Sequence, residues 1–321
     1  MFAELGPVVL SVYNRREFAR LGLASAVTLA GLGVSLAACG RKRDQDTVID
    51  PDADTSQVID PKLAAQEGTL EWAVSGNWRN VVDKGRDKYR HPVDMLNFFE
   101  IKPKDMVIDI WPGAGYMTEI LAPYLNKGKG QYVAALIEAN AVPEAATASL
   151  EDKYRAHFDS NKKLYGTLTY TAFGETSGPL AEAGSADCVL FLLVIHDWIA
   201  KGIAEKAFSD AFAALRPGGI LGVEQHRADI GNVQDPGATT GYVQEPLVKQ
   251  LASEAGFQFV AESEMNANPK DDKDHPFGVW TLPPQRLTAP RGQAPNPEFD
   301  GSLYESIGES DRMTLKFRKP Q

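Results

Sequence analysis

The residues best placed to do chemistry begin at Val107-Ile-Asp-Ile-Trp-Pro-Gly-Ala-Gly-Tyr116, which runs into the helix-like stretch Met117–Leu125. An apolar strand carries an acid, Asp109, and gives way to a glycine-rich turn and a helix start. Glycines at Gly113 and Gly115 let backbone N–H groups approach a ligand closely, and the helix N-terminus adds partial positive charge. Such a turn suits a nucleotide, although glycines also serve bare strand-to-helix turns. Glu138 lies 29 residues after Asp109, at the end of the next apolar run. Dinucleotide folds place an acid there to bind ribose hydroxyls; the competing reading is a solvated charge opening a loop. Phe173-Gly174-Glu175 follows a third strand and would border an adenine, or be a core aromatic beside a surface acid.

A second set follows later strands. His196-Asp197-Trp198 comes after the apolar run Cys188–Ile195. A histidine there can exchange a proton near neutral pH, and Asp197 can orient an amine or hydroxyl. Alternatively the triplet starts a helix, with Asp197 capping the next turn. Glu224 and His226 stand at i and i+2, so their side chains lean to one face. With His196 and His91 they form either a His/carboxylate metal site or a polar hydrogen-bond network; no known metal-ligand spacing is present. Arg90 and His91 precede a helix and suit an anionic group, with a salt bridge to Asp94 or Asp87 as the competing use.

Periodicity supplies the elements that must hold these residues. Strands are expected at Met106–Ile110, Gln131–Ile137, Leu168–Phe173, Cys188–Ile195, Ile220–Gln225, Phe257–Glu262 and Met313–Arg318. Helices are expected at Pro92–Phe99, Thr118–Leu125, Ile203–Leu215 and Val243–Ala255. Alternating strands and helices imply an α/β fold, a doubly wound, mostly parallel Rossmann-like sheet, with ligands at the carboxyl ends of its strands. Residues 265–310 are polar and proline-rich and read as a long insertion loop before the last strand. Its charge run, Asp271 to His275, reads as a solvated face; a lid is the other use of so long a loop.

The chain has 321 residues, a net charge of −10 and scattered basic residues, which argues against nucleic acid as a partner. Two cysteines, Cys39 and Cys188, exclude a disulfide framework. Residues 1–39 read as a targeting segment. Arg15-Arg16 with Phe18 resembles a twin-arginine export signal, and Leu36-Ala37-Ala38-Cys39 after the uncharged run Leu21–Ala38 resembles a bacterial lipobox. A retained membrane helix is the competing reading, but large apolar side chains are few. The expectation is a protein on the periplasmic side of a bacterial membrane, held only through a lipid on Cys39. Residues 40–66 read as a disordered tether and 67–321 as the folded domain.

With these motifs in place, the chain resembles class I S-adenosylmethionine-dependent methyltransferases, and more narrowly a bacterial group of predicted methyltransferases. The segments that carry this are Arg86–Pro92, Trp111–Gly115, His196–Trp198, Glu224–Ala228, Gly256-Phe257, Asn266–Lys270, Gly278–Pro284 and Glu309–Met313, within roughly residues 70–320. The resemblance implies S-adenosylmethionine as cofactor, held by Asp109, Trp111, Gly113, Gly115, Tyr116 and Glu138. It implies methyl transfer to a small or medium nucleophile, with His196, Asp197 and His226 as catalytic residues and either histidine as base. One departure stands out: Trp111 occupies the place of the first glycine, where a ring would narrow the pocket or stack on a ligand. Two rival functions come from the expected export and from the histidines: a non-catalytic ligand-binding lipoprotein on this scaffold, and metal-assisted chemistry at the His/Glu cluster.

Overall fold

A computed structural model describes residues 67–138 and 144–321. The twin-arginine motif, Cys39 and the tether lie outside the described residues. Among those described, no helix is long and apolar enough to cross a membrane.

Four short helices come first: α1 (Leu70–Ser75), α2 (Val81–Lys84), α3 (Asp87–Arg90) and α4 (Pro92–Phe98). The alternating part follows with β1 (Met106–Ile110), α5 (Thr118–Gly128), β2 (Gln131–Ile137), α6 (Glu144–Asp159), α7 (Lys162–Tyr165) and β3 (Thr169–Phe173). Then come β4 (Ala186–Leu192), α8 (Ile195–Ala200), α9 (Ala204–Ala214), β5 (Leu215–His226), α10 (Glu245–Glu254) and β6 (Gln258–Ser263). The chain closes with β7 (Pro276–Val279), α11 (Ser302–Ile307) and β8 (Arg312–Arg318).

Seven strands form one sheet in the order β3-β2-β1-β4-β5-β8-β6. β1 through β5 pair in parallel, while β8 runs antiparallel to both β5 and β6. This is the expected doubly wound, mostly parallel Rossmann-like sheet. Strand order reverses between β1 and β4, so the crevice of such a sheet opens there.

Alternation along the strands feeds two apolar layers. Ile108 and Ile110 face a core shared with Phe191, Trp198 and Phe208, while Val107 faces the other, with Leu96, Leu121 and Leu190. Both faces of the sheet are covered, which is why β4 reads as an unbroken apolar run. α5 carries Pro123 in its interior. Proline has no N–H for the carbonyl four residues back. That carbonyl, Glu119 O, accepts the indole N–H of Trp78 at 2.9 Å instead, so the first helices are tied to α5 by the bond the proline left open.

Two expectations are corrected. β4 ends at Leu192, Leu193 adopts φ +60, and Ile195 already begins α8. His196-Asp197-Trp198 is therefore a first helical turn and not a strand end. The stretch 265–310 is not a bare loop: it contains β7 and α11 and buries Asn266, Asp271, His275, Thr281, Glu309 and Ser310. Asp271 is not a solvated charge. It accepts hydrogen bonds from Tyr242, His275 and the Asp311 N–H; only Asp272 of that pair is exposed.

Candidate active site

The glycine turn sits at the carboxyl end of β1, beside the strand-order reversal. Gly113 and Gly115 both adopt left-handed backbone, φ +60 and +97. They differ in surroundings. A methyl group on Gly113 would meet nothing within 4 Å, whereas one on Gly115 would lie 2.5 Å from the Phe158 ring. Gly113 thus leaves backbone open to a ligand, and Gly115 lets α6 pack against the turn.

Trp111 adopts left-handed backbone, φ +54, at a cost of about 1–2 kcal/mol for a residue with a side chain. Its ring is 6% exposed and packs against Phe173 and Trp198, and its indole N–H donates to the Phe173 carbonyl at 2.9 Å. The expectation of a ring stacked on a ligand is corrected: the indole is a core side chain that spans the ends of β1 and β3.

Asp109 is fully buried below the turn. Its Oδ2 accepts the Tyr132 hydroxyl at 2.8 Å, and its Oδ1 has no hydrogen-bond partner among the described residues. Burial pushes its carboxyl up to about 7, against the lowering effect of the Tyr132 bond. A raised carboxyl favours folding below its unfolded value and loses that contribution as pH rises through the folded value. Between about pH 4 and pH 7 the ligand-free protein should therefore lose up to roughly 4 kcal/mol through this one group. Asp109→Asn should remove that dependence. Urea midpoints of both proteins near pH 5 and pH 8 check it, and a wild-type-to-variant difference that does not change with pH counts against it.

Glu138 stands half-buried at the end of β2. It accepts the Thr176 N–H and hydroxyl at 3.0 and 2.6 Å, and these bonds hold its carboxyl below the usual range. Tyr116 turns the other way. Its hydroxyl donates to Asp87 at 2.6 Å, and Arg79, Arg86 and Arg90 surround its ring.

Arg90 also belongs to a cavity of about 110 Å³ at the carboxyl ends of β4 and β5, lined by Arg90, His196, Asp197, His226, Trp280 and Ser310 among others. The three expected catalytic residues meet here. The rings of His196 and His226 lie 5.5 Å apart, and His196 Nε2 is 3.5 Å from Asp197 Oδ2. Burial lowers both histidines from their ordinary values, His226 further than His196 because His196, Arg312 and Arg90 add to the effect. In both, burial favours the neutral ring.

Behind the cavity lies a buried ionic cluster. Glu309 receives Arg86 and Arg90 at 2.8 Å each and is also paired with Arg312; Arg312 reaches Glu224 at 2.8 Å. Burial alone would raise Glu309, but the three guanidinium charges outweigh it and hold the carboxyl at about 2. The salt bridge to Asp94 or Asp87, one of the two uses read from sequence for Arg90, is not made: Arg90 pairs with an acid 219 residues away. Of the two readings of Glu224, His226, His196 and His91, metal site or polar network, their contacts fit the network. Glu224 is committed to Arg312 and Asn266, His91 to Asn266 at 3.1 Å, His196 to Gln225 and His226 to Ser310. The four make a polar network held by separate partners. Sequence reasoning gave no role to Ser310, Glu309, Arg312, Gln225 or Trp280. The available signal was Glu309-Ser-Asp-Arg312, four polar residues running directly into a strand.

No family model matches the chain, and no curated protein matches it in sequence. Solved structures do resemble it in fold. An S-adenosylmethionine-dependent methyltransferase from Aquifex aeolicus is 18% identical over 56% of this chain and 86% of its own, with a TM-score of 0.41. A TehB-like S-adenosylmethionine-dependent methyltransferase from Corynebacterium glutamicum is 12% identical over 75% and 94%, with a TM-score of 0.43. The cyclase SpnF is 15% identical over 81% and 90%, with a TM-score of 0.46. The likeness extends no further than the fold.

Proposed function

We propose that this protein is an S-adenosylmethionine-dependent methyltransferase acting on a small nucleophile bound in the cavity between β4 and β5. The observation that carries the reading is placement. The open glycine turn and the polar cavity flank the same strand-order reversal, and Tyr116 and Arg90, 4.7 Å apart, join the two.

The residues present fit the cofactor. Gly113 offers open backbone, Glu138 offers a half-buried carboxylate at the end of β2, and Oδ1 of Asp109, without a partner among the described residues, is a buried acceptor below the turn. When bound, S-adenosylmethionine supplies an electrophilic methyl group. The chain's own contribution is to hold the nucleophile in line and keep water out, which is the larger part of catalysis for such a transfer. Trp280 and the segment Pro283–Gln285 line the cavity. From the sequence signal, the domain would work on the periplasmic side of a membrane, tethered through Cys39.

Calorimetric titration of the purified full-length chain with S-adenosylmethionine and S-adenosylhomocysteine tests this. Micromolar binding of either is expected. A folded sample that binds neither at millimolar concentration overturns the reading and favours a non-catalytic binding protein.

A further inference from the structure

The protons on the two cavity histidines can be placed from their partners. Gln225 Oε1 accepts the Ile195 N–H at 3.1 Å, which fixes the orientation of the amide. Its NH2 group therefore faces the Gly241 carbonyl at 3.1 Å and His196 Nδ1 at 3.2 Å. An amide nitrogen only donates, so His196 Nδ1 accepts and the proton of the neutral ring sits on Nε2. That proton faces Asp197.

His226 is governed by Ser310. The Ser310 hydroxyl lies 2.6 Å from His226 Nδ1, and its other neighbour, Arg312 Nε at 3.4 Å, can only donate. His226 Nδ1 is thus the acceptor the buried hydroxyl has, and leaving that hydroxyl unpaired would cost about 1–3 kcal/mol. The His226 proton is again on Nε2, and this nitrogen makes no hydrogen bond among the described residues. His91 provides an internal contrast. Asn266 Nδ2 donates to Glu224, so Asn266 Oδ1 faces His91, whose proton sits on Nδ1.

Neither cavity imidazole is then arranged as a base, which revises the role first expected of them. Both offer N–H. Arg90 gives only Nε to Glu309; its terminal nitrogens make no hydrogen bond among the described residues, and it lines the cavity. The oxygens of Glu309 are already occupied by Arg86, Arg90 and Arg312. The side-chain carboxylate left to accept a proton in the cavity is Asp197.

We propose that the cavity receives an oxyanion, a carboxylate or phosphate group of a small molecule, on the Arg90 guanidinium and the His226 Nε2–H, with Asp197 facing the molecule's proton-bearing nucleophile. That this molecule is the methyl acceptor rests on the function proposed above; the oxyanion receptor does not, and it is tested without cofactor.

Imidazole 15N NMR of the full-length protein, labelled at histidine and recorded near pH 8 where ordinary histidines are neutral, reads the tautomers. His196 and His226 should be protonated at Nε2 and His91 at Nδ1; Nδ1 protonation of His226 overturns the proposal. Titrations with malonate and with inorganic phosphate distinguish the two oxyanions. Binding of at least one is expected, weakened about tenfold or more by Arg90→Gln, since a charge-assisted hydrogen bond is lost. A folded wild-type protein that binds neither, or an Arg90→Gln protein that binds equally well, overturns the receptor. Should Arg90→Gln not fold, Ser310→Ala reads the same arrangement: with the hydroxyl donor gone, the His226 signals should move toward a mixed tautomer, and unchanged signals count against it. Oxyanion binding without any S-adenosylmethionine binding would leave this site standing and sink the methyl-transfer reading.

Discussion

Glu309→Gln should destabilise the folded protein by about 3–5 kcal/mol at neutral pH, the range for removing one member of a buried charge cluster. The carboxylate is 2% exposed and meets three guanidinium groups from three places in the chain: Arg86 before α3, Arg90 at its end, and Arg312 at the start of β8. A neutral amide cannot hold three cations. Arg312 would keep Glu224, Arg86 would keep Asp83 at 3.2 Å, and Arg90 would lose the one carboxylate it pairs with among the described residues. The wild-type carboxyl is depressed to about 2, so its contribution is complete above the unfolded value near 4.5 and disappears as pH falls through 2. The variant should therefore resemble the wild type increasingly as the medium is acidified. Urea unfolding at neutral and acid pH measures both effects. A neutral-pH cost below about 1 kcal/mol would mean that the cluster adds little beyond its own desolvation.

Much of the frame was legible because local rules and tertiary needs agree. β1 and β2 begin and end where their mostly apolar pattern puts them, since a parallel strand covered on both faces is a near-continuous apolar run, with Asp109 the buried exception in β1. The boundary after β4 was not legible for the same reason. The apolar run continues through Ile195, and only the left-handed Leu193, a backbone property, ends the strand early. The expected catalytic set, His196, Asp197 and His226, does meet in one cavity, because parallel strands present their carboxyl ends along one edge. What holds that set was out of reach. The partners of Arg90 and His226, Glu309 and Ser310, lie in β8's approach, 219 and 84 residues away, and Gln225 is held by Ile195 and Gly241, 30 and 16 residues away, and no spacing rule links such pairs. Buried Asp271 misled for a related reason: charge in sequence reads as solvent exposure, and its neutralising donors, Tyr242 and the Asp311 N–H, are 29 and 40 residues distant.

Gly113→Val should abolish S-adenosylmethionine binding while leaving the domain folded. The two glycines of the turn separate these effects. At Gly113 the added side chain projects into open space, so the folded state meets only the backbone penalty of φ +60, about 1–2 kcal/mol. The same open space is what a ligand needs in order to approach the backbone N–H groups and the start of α5, and a branched side chain would fill it. At Gly115 even a methyl group would press into the Phe158 ring at 2.5 Å, so Gly115→Ala should destabilise the protein by disturbing the contact of α6 with the turn. Thermal unfolding and calorimetry of both variants make the comparison. Gly113→Val with a near-native melting temperature and no binding fits a turn that contacts the cofactor. Gly113→Val with native affinity would show that the open glycine faces only solvent and that the cofactor, if bound, is held elsewhere along the strand ends.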